Sequence, residues 1–427
     1  MNRIDELIAE HCPDGVEFRG IGELLERTSN IRWQDAQGEE FQYIDLTSVD
    51  RNTHAIGDTE IIDSETAPSR AQQIVHEGDV IFGTTRPMLK RYCLIPSEYD
   101  GQICSTGYCV LRPRTELLLP NFLFHLLGTE TFYSYVEANQ RGASYPAITD
   151  GAVKAFRIPR PPVEVQAGIA KVLDTFTQLE AELEAELEAR RRQYKYYRDA
   201  LLSFDEHEMS ASKQASKQAS KQASKQASKQ ASIRWVTLNE VATFKYGFTA
   251  KAADSGEFRF IRITDITEGG KLSPVDAKYV DATEDASAYL VQRGDVLMAR
   301  TGATFGKTVL ITDDMPAIYA SFLIRIRLNE AEVLPSYYWH FAQSRFYWQQ
   351  ANNMVSTGGQ PQFNANVLKD IRLPIPPLNE QTRIVAILDQ FDALVNDLSS
   401  GLPAEIKARR QQYEHYRDRL LTFKEAA

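Results

Sequence analysis

The run ARRRQYKYYRDALLSF, Ala189–Phe204, returns 219 residues later as ARRQQYEHYRDRLLTF, Ala408–Phe423. A duplication at about half the chain length predicts two similar domains related by a pseudo-twofold axis. Such a molecule is built to read a two-part target or to hold two copies of a partner. The repeat extends outward from this run. FRIPRPPVEVQAGIAKVLDTF, Phe156–Phe176, matches IRLPIPPLNEQTRIVAILDQF, Ile371–Phe391, and EGDVIFGTTRPMLKRYCLI, Glu77–Ile95, matches RGDVLMARTGATFGKTVLI, Arg293–Ile311. EFQYIDLTSV, Glu40–Val49, matches EFRFIRITDI, Glu257–Ile266, and His125 falls opposite His340. Similarity is high in the helical segments and low between them, the pattern of variable domains on a constant frame.

The chain has 427 residues, enough for two to three domains. A hydrophobic content of 43% and a charged content of 25% are those of a soluble globular protein. No apolar run of about 18 residues predicts a membrane span, and the N-terminus, MNRIDELIAEH, lacks the apolar core of a signal peptide. Cys12, Cys93, Cys104 and Cys109 have no zinc-ligand spacing, so reduced thiols in a cytosolic, cytoplasmic protein are expected. The formal net charge is −10. Residues 1–150 carry a net −12 and residues 233–370 a net −1. That field repels DNA, so nucleic-acid binding would need local basic loops or a basic partner.

FQYIDLTSV, DVIFGTT and YCVLRPR read as strands and NFLFHLLGTETFYSYVEAN as a helix. The order recurs with FRFIRITDI, DVLMART, FLIRIRL and the helix PSYYWHFAQSRFYWQQANN. After each domain comes a Pro-x-Pro-Pro exit, Pro159–Pro162 and Pro374–Pro377, stiff because proline fixes φ. Asn379 is placed to cap the second following helix, with Glu380 in its first turn. Leu187, Tyr194 and Leu201 sit seven apart, as do Ile406, Tyr413 and Leu420, giving a heptad seam with aromatic layers and two helices packed antiparallel. The first helix carries LEAE tetrads from Leu179 to Arg190; the second has SSGLP, Ser399–Pro403, which should break or kink it. ASKQ, repeated from Ala211 to Ser232, reads as a solvated helix or a mobile tether. The fold class expected is α+β: two similar α+β domains related by pseudo-twofold symmetry and joined by two long antiparallel coiled-coil helices. The boundaries are 1–158, 159–208 for the tetrad helix, 209–232 for the ASKQ linker, 233–373, and 374–427 for the C-terminal helix.

The Pro-x-Pro-Pro helices and the (A)RRxQYxxYRDxLLxF motif, present twice around two divergent α+β domains, resemble the specificity subunit of Type I restriction–modification systems. The resemblance covers essentially the whole chain; the ASKQ tract has no counterpart in the general family pattern. It implies a non-catalytic subunit in which each domain reads one half of an asymmetric bipartite site on double-stranded DNA, while the helices act as a ruler for the gap. It further implies docking of two methyltransferase subunits and of translocase–nuclease (restriction) subunits in a defence against foreign DNA. S-adenosylmethionine, ATP and magnesium would belong to those partners, and this chain would hold no cofactor and no metal.

Candidate DNA contacts lie in loops. TGATFGKT, Thr301–Thr308, resembles a phosphate loop but encloses three residues between Gly302 and Gly306 where four are required. Arg300, Thr301, Thr304 and Lys307 read instead as a strand-to-strand loop facing phosphates. The first copy offers Thr84, Thr85, Arg86, Lys90 and Arg91, among the few basic clusters in an acidic domain. RGASYPAIT and STGGQPQFN add Arg141, Ser144, Tyr145, Gln360, Gln362 and Asn364, with donor and acceptor geometry suited to base edges, and Arg262 is suited to guanine. The plain alternative for each is an ordinary loop or strand face. Asp79 and Asp295 read as turn residues entering strands, and His125 and His340 as packing residues. In the duplicated motif, Arg191, Tyr194, Tyr197 and Arg198 with Arg410, Tyr413, Tyr416 and Arg417 are either a solvated face or a partner-docking surface. No methyltransferase, nuclease or metal-binding motif is recognisable in the sequence. The competing reading is a coiled-coil assembly scaffold that does not read DNA.

Overall fold

A computed structural model describes residues 2–204, 233–281, 286–355, 363–397 and 399–426. The ASKQ tract lies outside the described residues. The chain divides into two compact units, one of residues 1–184 with 406–427 and the other of residues 185–405. This differs from the boundaries drawn on the sequence. Each unit consists of one α+β domain, the helix that follows it, and a helical segment from the other half of the sequence.

In unit 1, α1 (Asn2–His11) precedes β1 (Glu17–Gly20), β2 (Phe41–Ile44), β3 (Glu60–Ile62), β4 (Ala71–Ile74), β5 (Val80–Gly83), β6 (Tyr92–Leu94), β7 (Ile103–Ser105) and β8 (Tyr108–Leu111). α2 (Pro120–Leu126), α3 (Glu130–Asn139), α4 (Asp150–Ala155) and β9 (Arg157–Arg160) lead into the 39-residue α5 (Val163–Leu201). One sheet runs β3-β2-β7-β4 and another β6-β5-β8. β1 pairs antiparallel with β9 and closes the ends of the domain together. Pro159 is tolerated there because a two-stranded ribbon has an outer edge that needs no donor.

Unit 2 repeats this frame. β10 (Arg234–Thr237), α6 (Leu238–Val241), β11 (Ala242–Tyr246), β12 (Phe258–Ile261), β13 (Lys278–Val280), β14 (Val296–Ala299), β15 (Thr308–Leu310), β16 (Ala317–Tyr319) and β17 (Leu323–Leu328) come first. α7 (Pro335–Phe341), α8 (Arg345–Met354), α9 (Ala365–Lys369), β18 (Arg372–Ile375) and α10 (Leu378–Asn396) follow; α11 (Leu402–Leu420) belongs to unit 1 from Ile406 onward. β2 and β7 are parallel neighbours, as are β12 and β16. The units differ in where the seventh sheet strand is added. β4 joins β7 in unit 1, whereas β11 joins β17 in unit 2.

The single helix expected over residues 121–139 is two helices, and so is its counterpart. Thr129 and Ser344 break them by capping the second helix, each hydroxyl accepting from the amide three residues on. The cap expected at Asn379 falls at Pro377, with Asn379 already helical. The break expected around SSGLP is present, since α10 ends at Asn396 and α11 begins at Leu402. The expected antiparallel pairing holds within unit 1, where Phe176 stacks on Tyr416 and Glu180 and Glu184 bind Arg410. Contact positions descend along α11 as they ascend along α5.

Two duplicated polar knots hold each unit. Gln166 is fully buried; its Oε1 accepts from Leu119 N at 2.9 Å, and its Nε2 donates to the carbonyls of Leu117 and Pro161. Gln381 does the same with Leu334, Glu332 and Pro376. Both satisfy backbone groups at a helix entry that would otherwise be orphaned. His125 and His340 are also fully buried. His125 pairs through Nε2 with Asp174 and through Nδ1 with the Tyr413 hydroxyl, both at 2.8 Å. His340 pairs with Asp389 at 2.8 Å and with Tyr194 at 3.1 Å. The repeated tyrosine therefore locks the helix from the opposite half of the sequence onto each domain.

His54 lies in unit 1 at φ 56, its ring tilted against that of Tyr92 with centroids 4.0 Å apart, and its Nδ1 is buried without a partner among the described residues. Burial pushes its pKa down to about 4, and Arg417 and Lys90 add to this against Asp50. The folded state therefore binds this proton less readily than the unfolded chain does. Stability from this residue is full above pH 6.5 and is lost as the pH falls towards 4, by about 3 kcal/mol. His54→Asn, which tolerates the left-handed backbone, is expected to remove that share of the acid sensitivity. Urea unfolding at pH 7 and pH 4.5 tests this, and parallel losses in both proteins would refute it.

Candidate nucleic-acid interface

β5 and β14 are fully buried strands that deliver equivalent loops. Beyond β5, Thr84 is buried, its hydroxyl donating to Gly107 O at 2.9 Å, and its carbonyl accepts from Ile148 N. Thr85 bridges to Ala147, and Arg86 N donates to Pro146 O at 2.7 Å. The structure thus brings the 84–91 loop against residues 141–147, two candidates that lie more than fifty positions apart. Arg141 and Ala147 exchange backbone hydrogen bonds, so the second segment is a closed hairpin with Ser144 and Tyr145 exposed at its tip. Beyond β14 the register is the same, with Phe363 N donating to Arg300 O at 2.9 Å. Gln360 and Gln362 lie outside the described residues.

The candidate cations divide by their partners. Arg86, Lys90 and Arg141 are exposed and form no ion pair among the described residues; Arg86 lies over the Tyr145 ring and Lys90 over that of Tyr133. Arg86 and Lys90 both hold positive φ, a backbone strain that clusters at functional loops. Arg91 is committed inward, donating to the carbonyls of Leu46 and Val49. In unit 2, Lys307 is paired with Glu268, and Arg262 with Asp265 and Asp276. Arg300 has no carboxylate among the described residues and donates to Ser321 O. Thr301 and Thr304 frame a short 3-10 turn, and Asn364 caps α9 through its Oδ1. Gly302–Thr304 forms only this turn before β15, so the loop opens no helix of the kind that holds a nucleotide phosphate.

Asp79 and Asp295 are turn residues, as expected, and more. Each accepts from the amide three residues back and grips an arginine, Arg112 or Arg327, through both carboxylate oxygens. The duplicated motif needs correction as a surface. Tyr194 is buried and Tyr413 half-buried, both with their hydroxyls taken; Arg198 and Arg417 lie over their rings, and Tyr197, still 39% exposed, and Tyr416 stack on Phe391 and Phe176. Arg410 is spent on Glu180 and Glu184. Arg191, about half exposed and paired with Glu188, remains at the surface. Gln166, Gln381, Asp174 and Asp389 are readable only as identities between the two copies, because their partners lie about fifty residues away.

A family model described as the Type I restriction modification DNA specificity domain matches residues 13–189 and again 233–408. The chain belongs to this family. It is a specificity subunit with two recognition domains, a class that is non-catalytic by name. A type I specificity subunit of Haemophilus influenzae is 31% identical over 318 residues, covering 72% of this chain and 73% of its own. The EcoR124I/EcoR124II specificity subunit of Escherichia coli is 30% identical over 62% of this chain and 61% of its own length. A chain from a solved type I R-M system covers 96% of this one at 25% identity, with a TM-score of 0.58. The type I S subunit of M. genitalium shares the fold at a TM-score of 0.54 and 14% identity. No helix among the described residues is long and apolar enough to cross a membrane.

Proposed function

We propose that each unit of this specificity subunit reads one half of an asymmetric bipartite target on double-stranded DNA. The observation that supports this reading is the pairing of the post-β5 loop with the 141–147 hairpin, repeated at Arg300 and Phe363. In unit 1 this joins cations that pair with no carboxylate among the described residues, on an otherwise acidic domain. Local positive charge of this kind is what a net-negative protein needs to approach phosphates. α5 serves as the spacer between the half-sites. Two methyltransferase subunits and the restriction subunits dock on this frame and carry the chemistry, with S-adenosylmethionine, ATP and magnesium held there.

The test is selection from a pool of randomised duplexes by the chain co-purified with its methyltransferase subunits. Two short blocks at a fixed gap are expected. Arg86→Ala should weaken binding about fivefold, lower the salt slope by about one, and leave the unit 2 block intact. Equal damage to both blocks, or enrichment without a fixed gap, would contradict the reading.

A further inference from the structure

We infer that each unit presses an arginine-backed aromatic ring into a base step of its half-site, so that the target is read partly by how easily that step unstacks. This rests on the half-site reading above.

In unit 1 the ring is Tyr145, 70% exposed, with the Arg86 guanidinium 4.3 Å from its centroid. In unit 2, Arg300 lies 5.3 Å from the Tyr246 ring and 5.6 Å from that of Phe322, which are 44% and 51% exposed. The residues differ, yet both arginines lie on the loop that follows the equivalent strand, β5 or β14. Arg86 follows two positions after Thr84, whose carbonyl accepts from Ile148 N; Arg300 itself accepts from Phe363 N at the matching position. Two diverged domains thus place the same chemistry on the loop that follows the same strand, two positions apart.

The rings are held ready. Reciprocal bonds between Arg141 and Ala147 close the Tyr145 hairpin. Its turn requires Gly142, at φ +101, where a Cβ would meet Tyr145 O at 2.9 Å. The Tyr246 hydroxyl accepts from Ala365 N at 3.1 Å. An exposed ring gains nothing for the core, and a cation beside it favours a polyanion over an apolar protein surface. Bases of an intact duplex offer their faces only where a step opens, so a stacking ring acts as a wedge and prefers flexible pyrimidine–purine steps.

The chain in complex with its methyltransferase subunits is titrated with its target duplex, 2-aminopurine being placed at one position at a time. Wild type should raise the fluorescence at least twofold at one step in each half-site. Tyr145→Leu should abolish the rise in the unit 1 half alone and weaken binding about tenfold, while Tyr145→Phe keeps both. Phe322→Leu should act on the other half. The methylated adenine, which methyltransferases extrude by themselves, should brighten in every variant and reports a folded complex. Unchanged affinity and fluorescence in Tyr145→Leu would overturn the inference while leaving half-site reading in place. Failure of wild type to prefer its target would overturn both.

Discussion

Asp79→Ala is expected to cost unit 1 about 3–5 kcal/mol, because it strands a partly buried guanidinium. Asp79 is 1% exposed and accepts from Arg112 at 2.8 and 2.7 Å and from His76 N at 2.8 Å. Its removal leaves Arg112, whose side chain is only 17% exposed, without its counter-charge. It also frees an amide in the turn that starts β5. Urea unfolding and hydrogen exchange of the β5 and β8 amides report the loss. Adding Arg112→Met should recover part of it, since removing both partners leaves no orphaned charge. A loss under 1 kcal/mol in the single variant would show that the pair is decorative.

Deletion of Leu183–Glu186 is expected to change the target and not the readers. Four helical residues span about 6 Å, and DNA rises about 3.4 Å per base pair, so the gap should shorten by roughly one to two base pairs. The sequence makes this cut benign. Leu187 moves into the place of Leu183, and Glu188 into that of Glu184, so Arg410 keeps a carboxylate at both of its positions. The cut falls where unit 1 gives way to unit 2 along α5, which spares both cores. Selected targets should keep both blocks at a shorter gap. Altered blocks at constant spacing would remove the ruler from the account.

The duplication made the architecture legible, since every matched segment falls at an equivalent place in the two units. The Ser399–Pro403 break and the turn roles of Asp79 and Asp295 were legible for local reasons, in residues that stop helices or start strands. The partners of the repeated tyrosines were not. Heptad spacing marks Tyr194 and Tyr413 as seam residues but carries no sign that their hydroxyls meet His340 and His125, 146 and 288 positions away. Arg262 had the chemistry for guanine, yet Asp265, three residues on, holds its guanidinium at 2.8 Å, and Asp276, fourteen residues on, joins it at 3.4 Å. The Thr84–Ile148 contact, which brings two candidate loops together, depends on strand register that composition does not encode. Readers of such loops can list the donors a sequence supplies; which of them stay free is decided by long-range pairing.

The most direct test of two readers on one frame is a map of modified adenines across the genome of a host lacking adenine methylation, after co-expression of this chain with its methyltransferase subunits. A single asymmetric motif, with two short specific blocks at a fixed gap, is the expected result. Methylation at an undivided motif, or none from a stably purified complex, would contradict it.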